Sequence, residues 1–147
     1  MSTLPPLMRD QRKADADHLR LLSIFHYVLA AFAVLGLGFL ALHYALMHAV
    51  LANPEMWNSA KGGPPPAQIF ALFRWFYVVF GTLLVIGGVL NLLSGRFIHR
   101  RRHRVYSLIV AGLNCMQLPF GTMLGVFTFV VLLRDSVREA YDAPPAP

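Results

Sequence analysis

Acidic residues are missing from most of this chain. None lies between Asp17 and Glu55, and none between Glu55 and Asp135. Carriers and pumps that bind cations or relay protons ordinarily place carboxylates within the bilayer, so this absence argues against carboxylate-coupled transport. It also removes the paired acids of hydrolytic catalysis and the acidic cage of a hard metal ion. Cysteine is nearly absent as well. The single Cys115 allows neither an intramolecular disulfide nor a thiolate metal cluster within one chain, and it reads as a small packing residue.

Charge of either sign is absent from three long windows: 21–54, 75–95 and 105–133. A helix in water must show polar side chains on one face at every turn, and these windows have too few to do so. Hydrophobic residues make up 56% of the 147-residue chain and charged ones 14%, against roughly 45–50% and 25% in soluble domains. The sequence therefore predicts one all-α, polytopic integral membrane bundle of the bacterial inner membrane. The charged 20 residues at the start and the long apolar run after them predict an uncleaved anchor rather than a signal peptide.

What charge there is flanks the windows. Arg9, Arg12, Lys13 and Arg20 precede the first; Arg96, Arg100, Arg101, Arg102 and Arg104 separate the second from the third; Arg134 and Arg138 follow the last. This is the distribution of a topology signal, placing the N-terminus and the arginine loop in the cytoplasm. Those five loop arginines are also expected to touch anionic lipid headgroups. The net charge of +6 does not point to nucleic acid, because the arginine run has no interleaved aromatic platform for bases.

Residues 1–17 read as a polar cytoplasmic segment, with Asp15 or Asp17 capping a first helix over about 18–53. The uncharged part of that helix would span about 45 Å, against about 30 Å of hydrocarbon, and His43, Tyr44 and His48 suggest that its far end protrudes. Residues 54–67 form an external loop containing Lys61-Gly62-Gly63-Pro64-Pro65-Pro66, a flexible point followed by a polyproline stretch. A second helix is predicted over about 69–94, entered through an aromatic belt (Phe70, Phe73, Trp75, Phe76, Tyr77) with Arg74 able to snorkel. A basic cytoplasmic loop, 95–104, follows.

The third window admits two readings. Gln117-Leu118-Pro119-Phe120-Gly121-Thr122 interrupts it, and Thr122 can cap a new helix. The favoured reading is two short helices, about 104–118 and 122–134, folded back at Pro119–Gly121, with 135–147 as a cytoplasmic tail ending in disordered Ala-Pro-Pro-Ala-Pro. The other is one long helix kinked at Pro119, with the C-terminus outside. Pro119-Phe120-Gly121-Thr122-x-Leu124-Gly125-x-x-Thr128-x-x-Val131-Leu132, followed by Val137, resembles the C-terminal signature of small, uncharacterised bacterial membrane proteins of four predicted helices. The resemblance covers the last third of the chain. It implies the four-helix layout and carries no activity.

Positive chemical candidates are few. His26, His43 and His48 lie on the first helix, but the later crossings contain no histidine, so a bis-histidine haem b site would need a pair across an oligomer. His43 and His48 stand about 140° apart round a helix, without acidic or thiol partners, which is poor geometry for zinc. Ser94, Ser107, Thr82 and Thr122 have no evident base and read as hydroxyls bonding backbone carbonyls, or as caps. Gly36-x-Gly38 and Gly87-Gly88 lie in apolar runs with no following Lys-Ser/Thr, so neither is a phosphate loop. No catalytic residue, cofactor or metal is expected.

Helix-packing chemistry is present. Gly121 and Gly125 form a GxxxG; Ser107, Ala111 and Cys115 line up one helical turn apart, as do Ala41, Ala45 and Ala49. Such stripes let helix backbones approach closely in lipid, and Asn91, Asn114 and Gln117 should face protein. The function these features predict is non-enzymatic: a membrane protein acting through association with itself or with a membrane partner. An oligomeric pore or small-molecule carrier is the alternative, and a b-type haem protein a distant third.

Overall fold

The computed structural model describes residues 6–55 and 67–142, with side chains described over 10–55 and 68–142. The described residues form five helices and no strand: α1 (Pro6–Leu51), α2 (Ala67–His99), α3 (Arg104–Asn114), α4 (Phe120–Leu132) and α5 (Asp135–Asp142). The expected Pro-rich external loop and the Ala-Pro terminus lie outside the described residues.

α1 and α2 are long and apolar enough to cross a membrane, with mean hydropathies of 2.1 and 2.2 in their most apolar windows. Only 11% and 6% of those windows is buried within the protein. Phe32, Val34, Leu35, Phe39, Leu72, Trp75 and Leu83 are each 59% exposed or more. Apolar side chains uncovered over this length are stable in hydrocarbon rather than in water.

Contacts divide the chain into two compact units, residues 1–30 with 89–147, and residues 31–88. The first has a true core in which Leu19 and Leu22 of α1 pack with Ile98 of α2, Leu124, Val131 and Leu132 of α4, and Val137 of α5. The beginning of α1, the end of α2 and the start of α5 are thereby gathered at one end of this unit. The second unit is a two-helix ribbon in which none of the described residues is buried. Its helices touch through small residues: an added side chain at Gly36 would meet Leu84 at 3.4 Å, and one at Gly81 would meet Leu40 at 3.6 Å.

Several element ends differ from the sequence expectation. α1 starts twelve residues early, at Pro6 rather than about His18, because 6–17 is rich in good helix formers and carries proline at the first turn. Asp15 accordingly lies inside the helix and caps nothing. α2 runs on through Gly95 to His99, so Arg96 is helical rather than in the loop. Gly95 is a point of close approach rather than a stop: a Cβ there would meet the Ser23 carbonyl and the Tyr27 ring, both at 3.1 Å. Residues 135–142, expected as tail, form α5, bent 73° from α4 and fixed by buried Val137.

Candidate functional site

The interruption at Pro119 produces a helical hairpin. α3 ends at Asn114 and α4 starts at Phe120, with a cis Leu118–Pro119 bond between them. Gly121 faces the Asn114 carbonyl and the Gln117 Cβ, which a Cβ on Gly121 would meet at 2.5 and 2.6 Å. A Cβ on Gly125 would collide with the Ala111 carbonyl and with Cys115 Sγ. Further along, Phe129 approaches Gly112, and Arg104 Nε donates to the Leu132 carbonyl at 2.7 Å. Contacts that separate in opposite directions along two helices define an antiparallel pair. Ser107 and Ala111 are fully buried along this seam, and Cys115 half-buried.

Thr122 does not cap α4 but takes the other expected role, bonding a backbone carbonyl. Pro119 occupies the N-cap of α4, and the Thr122 hydroxyl donates at 2.8 Å to the carbonyl of Cys115, an orphan acceptor at the end of α3. Thr82 does bond one turn back, to the Val78 carbonyl at 2.7 Å. Ser94 and Ser107 do not. Both are fully buried and their hydroxyls have no partner among the described residues, so small size is what these positions supply.

Asn91 of α2 and Asn114 of α3 are buried and exchange both amide hydrogen bonds, at 3.1 and 2.8 Å. Gln117 lies exposed in the turn, contributing backbone: its N–H donates to the Asn114 carbonyl and its carbonyl accepts from Thr122.

The arginines surround the other end of the hairpin. Arg96 and Arg100 are exposed beside the end of α2. Arg101 and His103 both adopt the left-handed conformation at φ 50°, an uncommon state for residues with a Cβ, which turns the chain sharply into α3. Arg104 is spent partly on Leu132, stabilising the carbonyl end of α4. Three residues from outside the loop arginines join this cluster: His103, held edge-on by Phe97 at 4.8 Å, Arg138, read from the sequence only as a topology charge, and Tyr141 of α5. The signal for α5 was the pair Val137 and Tyr141, four apart in a short charged segment. Burial pushes the Tyr141 phenol up to about 12, against the pull of the Arg101 and Arg104 guanidiniums.

α5 is latched to α1. Arg134 Nη1 lies 3.2 Å from Asp15 Oδ1, and the Ser136 hydroxyl donates to Asp15 Oδ2 at 2.6 Å. The Asp15 side chain is only 9% exposed.

The histidines are dispersed. His26 is fully buried, with Nδ1 2.9 Å from the Leu22 carbonyl. His43 Nδ1 lies 2.7 Å from the Tyr77 hydroxyl, His48 packs beside Tyr44, and His18 packs edge-on to Phe127. Among the described residues no three histidine, cysteine or carboxylate side chains converge. No protein-family model, curated protein or solved structure matches the chain.

Proposed function

We propose that this chain is a non-enzymatic protein of the bacterial inner membrane that acts by helix–helix association, with a second copy of itself or with a membrane partner. The observation that carries this reading is the ribbon of residues 31–88, in which no described residue is buried. The GxxxG of α4 and the Ser107–Ala111–Cys115 stripe are consumed inside the hairpin. The Ala41–Ala45–Ala49 stripe is exposed, and nothing lies within 4 Å of a Cβ added at Gly38 on the same helix. Small-residue stripes are the usual close-contact surfaces of associating membrane helices and are self-complementary in homodimers.

In this proposal four helices lie in the bilayer, α3 and α4 as a hairpin, with both termini in the cytoplasm. The Asp15–Arg134 pair supports a common side for the two ends, and the arginine distribution supports the cytoplasmic one. The likeness of the Pro119–Leu132 segment to small four-helix membrane proteins agrees with it. Topology reporters should place Arg102 and Ala143 in the cytoplasm and Ser59 in the periplasm; a periplasmic signal at Ala143 would overturn the shared side.

Association is tested by cysteine cross-linking in native membranes, with Ala45→Cys in a Cys115→Ala background. A dimer band is expected that Ala41→Leu abolishes, and a chain that stays monomeric and captures no membrane partner would sink the proposal. The alternative, an oligomeric pore or carrier, draws on a cleft of about 370 Å³ in the ribbon, where Tyr44, His48, Phe73, Arg74 and Tyr77 meet. Solute flux in proteoliposomes would favour it.

A further inference from the structure

The arginine-bearing end of the first unit holds an open cleft of about 740 Å³. Its lining includes four guanidiniums (Arg101, Arg102, Arg104 and Arg138), the imidazole of His103 and the phenol of Tyr141. Asp142 is the one carboxylate in that lining, and none of the four arginines is ion-paired among the described residues. Like charges gathered this closely repel one another unless an anion sits among them. Tyr141 also lines the cleft, its hydroxyl buried beneath the surface. Guanidinium forks converging from two segments match the several acceptor oxygens of a phosphate.

We propose that this cleft holds the phosphate group of an anionic phospholipid. What favours a lipid over free phosphate is the surface that leads away from the arginines. Val105, also in the lining, is 69% exposed, and Ile109 and Leu113 continue the same helical face at 61% and 46%. Residues four apart lie one above another along a helix, so these three form an apolar track for an acyl chain, starting at the phosphate site. The assignment rests on the proposal that this end of the bundle lies at the membrane surface. It goes beyond loop charge in specifying a site built from two separate segments, with α5 contributing Arg138 and Tyr141.

The test uses the full chain, delipidated in detergent and titrated with dioleoylphosphatidylglycerol or dioleoylphosphatidylcholine, with bound lipid counted by native mass spectrometry. The anionic lipid should saturate a single site that the zwitterionic lipid fills poorly. Arg102→Gln with Arg138→Gln should weaken that site about twenty-five-fold, since each arginine at a charged lipid surface is worth about fivefold. Both side chains are exposed and make no described hydrogen bond, so the variant should fold as the parent does, checked by its melting curve. Arg96→Gln with Arg100→Gln removes the same charge outside the cleft and should cost less than about threefold. Equal losses in the two double variants would overturn the site in favour of diffuse charge. Displacement of the lipid by millimolar inorganic phosphate would overturn the lipid assignment in favour of a soluble anion. Failure of the chain to incorporate into lipid nanodiscs would overturn the membrane reading and the site with it, whereas incorporation without lipid selectivity would overturn the site alone.

Discussion

Asn91 and Asn114 stand 23 residues apart and form a closed two-bond amide pair between α2 and α3. Each is nearly fully buried, so each amide needs the other in a medium where water cannot replace it. Asn91→Ala or Asn114→Ala should cost about 1–2 kcal/mol of stability in detergent, and the double variant well under the sum. Thermal melting of the four proteins in this cycle measures the coupling. Strictly additive losses would show that the two side chains do not support one another.

The seam of the hairpin predicts a steep dependence on one methyl group. Gly125→Ala sets a Cβ against the Ala111 carbonyl and Cys115 Sγ, where backbone cannot yield cheaply. A loss of about 1–3 kcal/mol is expected. Gly38→Ala, at a site with nothing within 4 Å, should leave the folded monomer unharmed. Comparable melting temperatures for the two variants would exclude close packing at Gly125.

Removing either partner of the α1–α5 latch should have unequal effects. Asp15→Asn keeps an oxygen for Arg134 and Ser136, and a loss under about 1 kcal/mol is expected. Arg134→Ala leaves a carboxylate that is only 9% exposed with the Ser136 hydroxyl as its remaining described partner, a situation costing about 1–3 kcal/mol. Proteolysis after Arg138 reports the release of α5. Faster cleavage in Asp15→Asn than in Arg134→Ala would reverse the proposed roles.

Tyr141, packed against the core from α5, makes the docking of that helix sensitive to alkali. Its phenol ionises at about 12 in the folded protein, against about 10 in an unfolded chain. A raised folded value means that the folded state holds the proton more tightly, so this contribution is complete below pH 10 and lost between about 10 and 12. The melting temperature of the wild type should fall through that window more steeply than that of Tyr141→Phe. Parallel curves would remove Tyr141 as the cause.

Membrane-crossing length and helical class are legible in the sequence because they are local properties: a charge-free window reports its solvent without reference to any partner. The break at Pro119 is legible for the same reason, since proline and glycine restrict their own backbone and that of their neighbours. Pairings over distance are not. Nothing near Asp15 announces Arg134, 119 residues away, and an aspartate early in a helix reads as a cap until its partner is seen. Gly95 illustrates the opposite error: a glycine read as a terminator is retained because Ser23 and Tyr27 crowd it. The basic cleft was half visible. Its loop arginines stand in one run, but Arg138 and Tyr141 reach it only because Val137 anchors a helix too short for its pattern to be distinctive.

The lengths of the helices make a demand on the surrounding lipid. α3 and α4, of 11 and 13 residues, are about 16 and 20 Å long, well short of a hydrocarbon layer about 30 Å deep. The tip between them carries Met116, Leu118 and Phe120, all at least 75% exposed and all apolar. α1, of 46 residues, has the opposite misfit, with an uncharged stretch alone near 45 Å. A sheet of uniform depth cannot suit both. If α3 and α4 lie in the bilayer as proposed, lipids around the hairpin would shorten their chains or let headgroups sink toward its tip, while those along α1 would stretch or let the helix lean, each at a fraction of a kcal/mol per ångström. In that topology the protein would deform its own lipid annulus, and its partition between thin and thick membranes would follow whichever of the two misfits the host bilayer relieves.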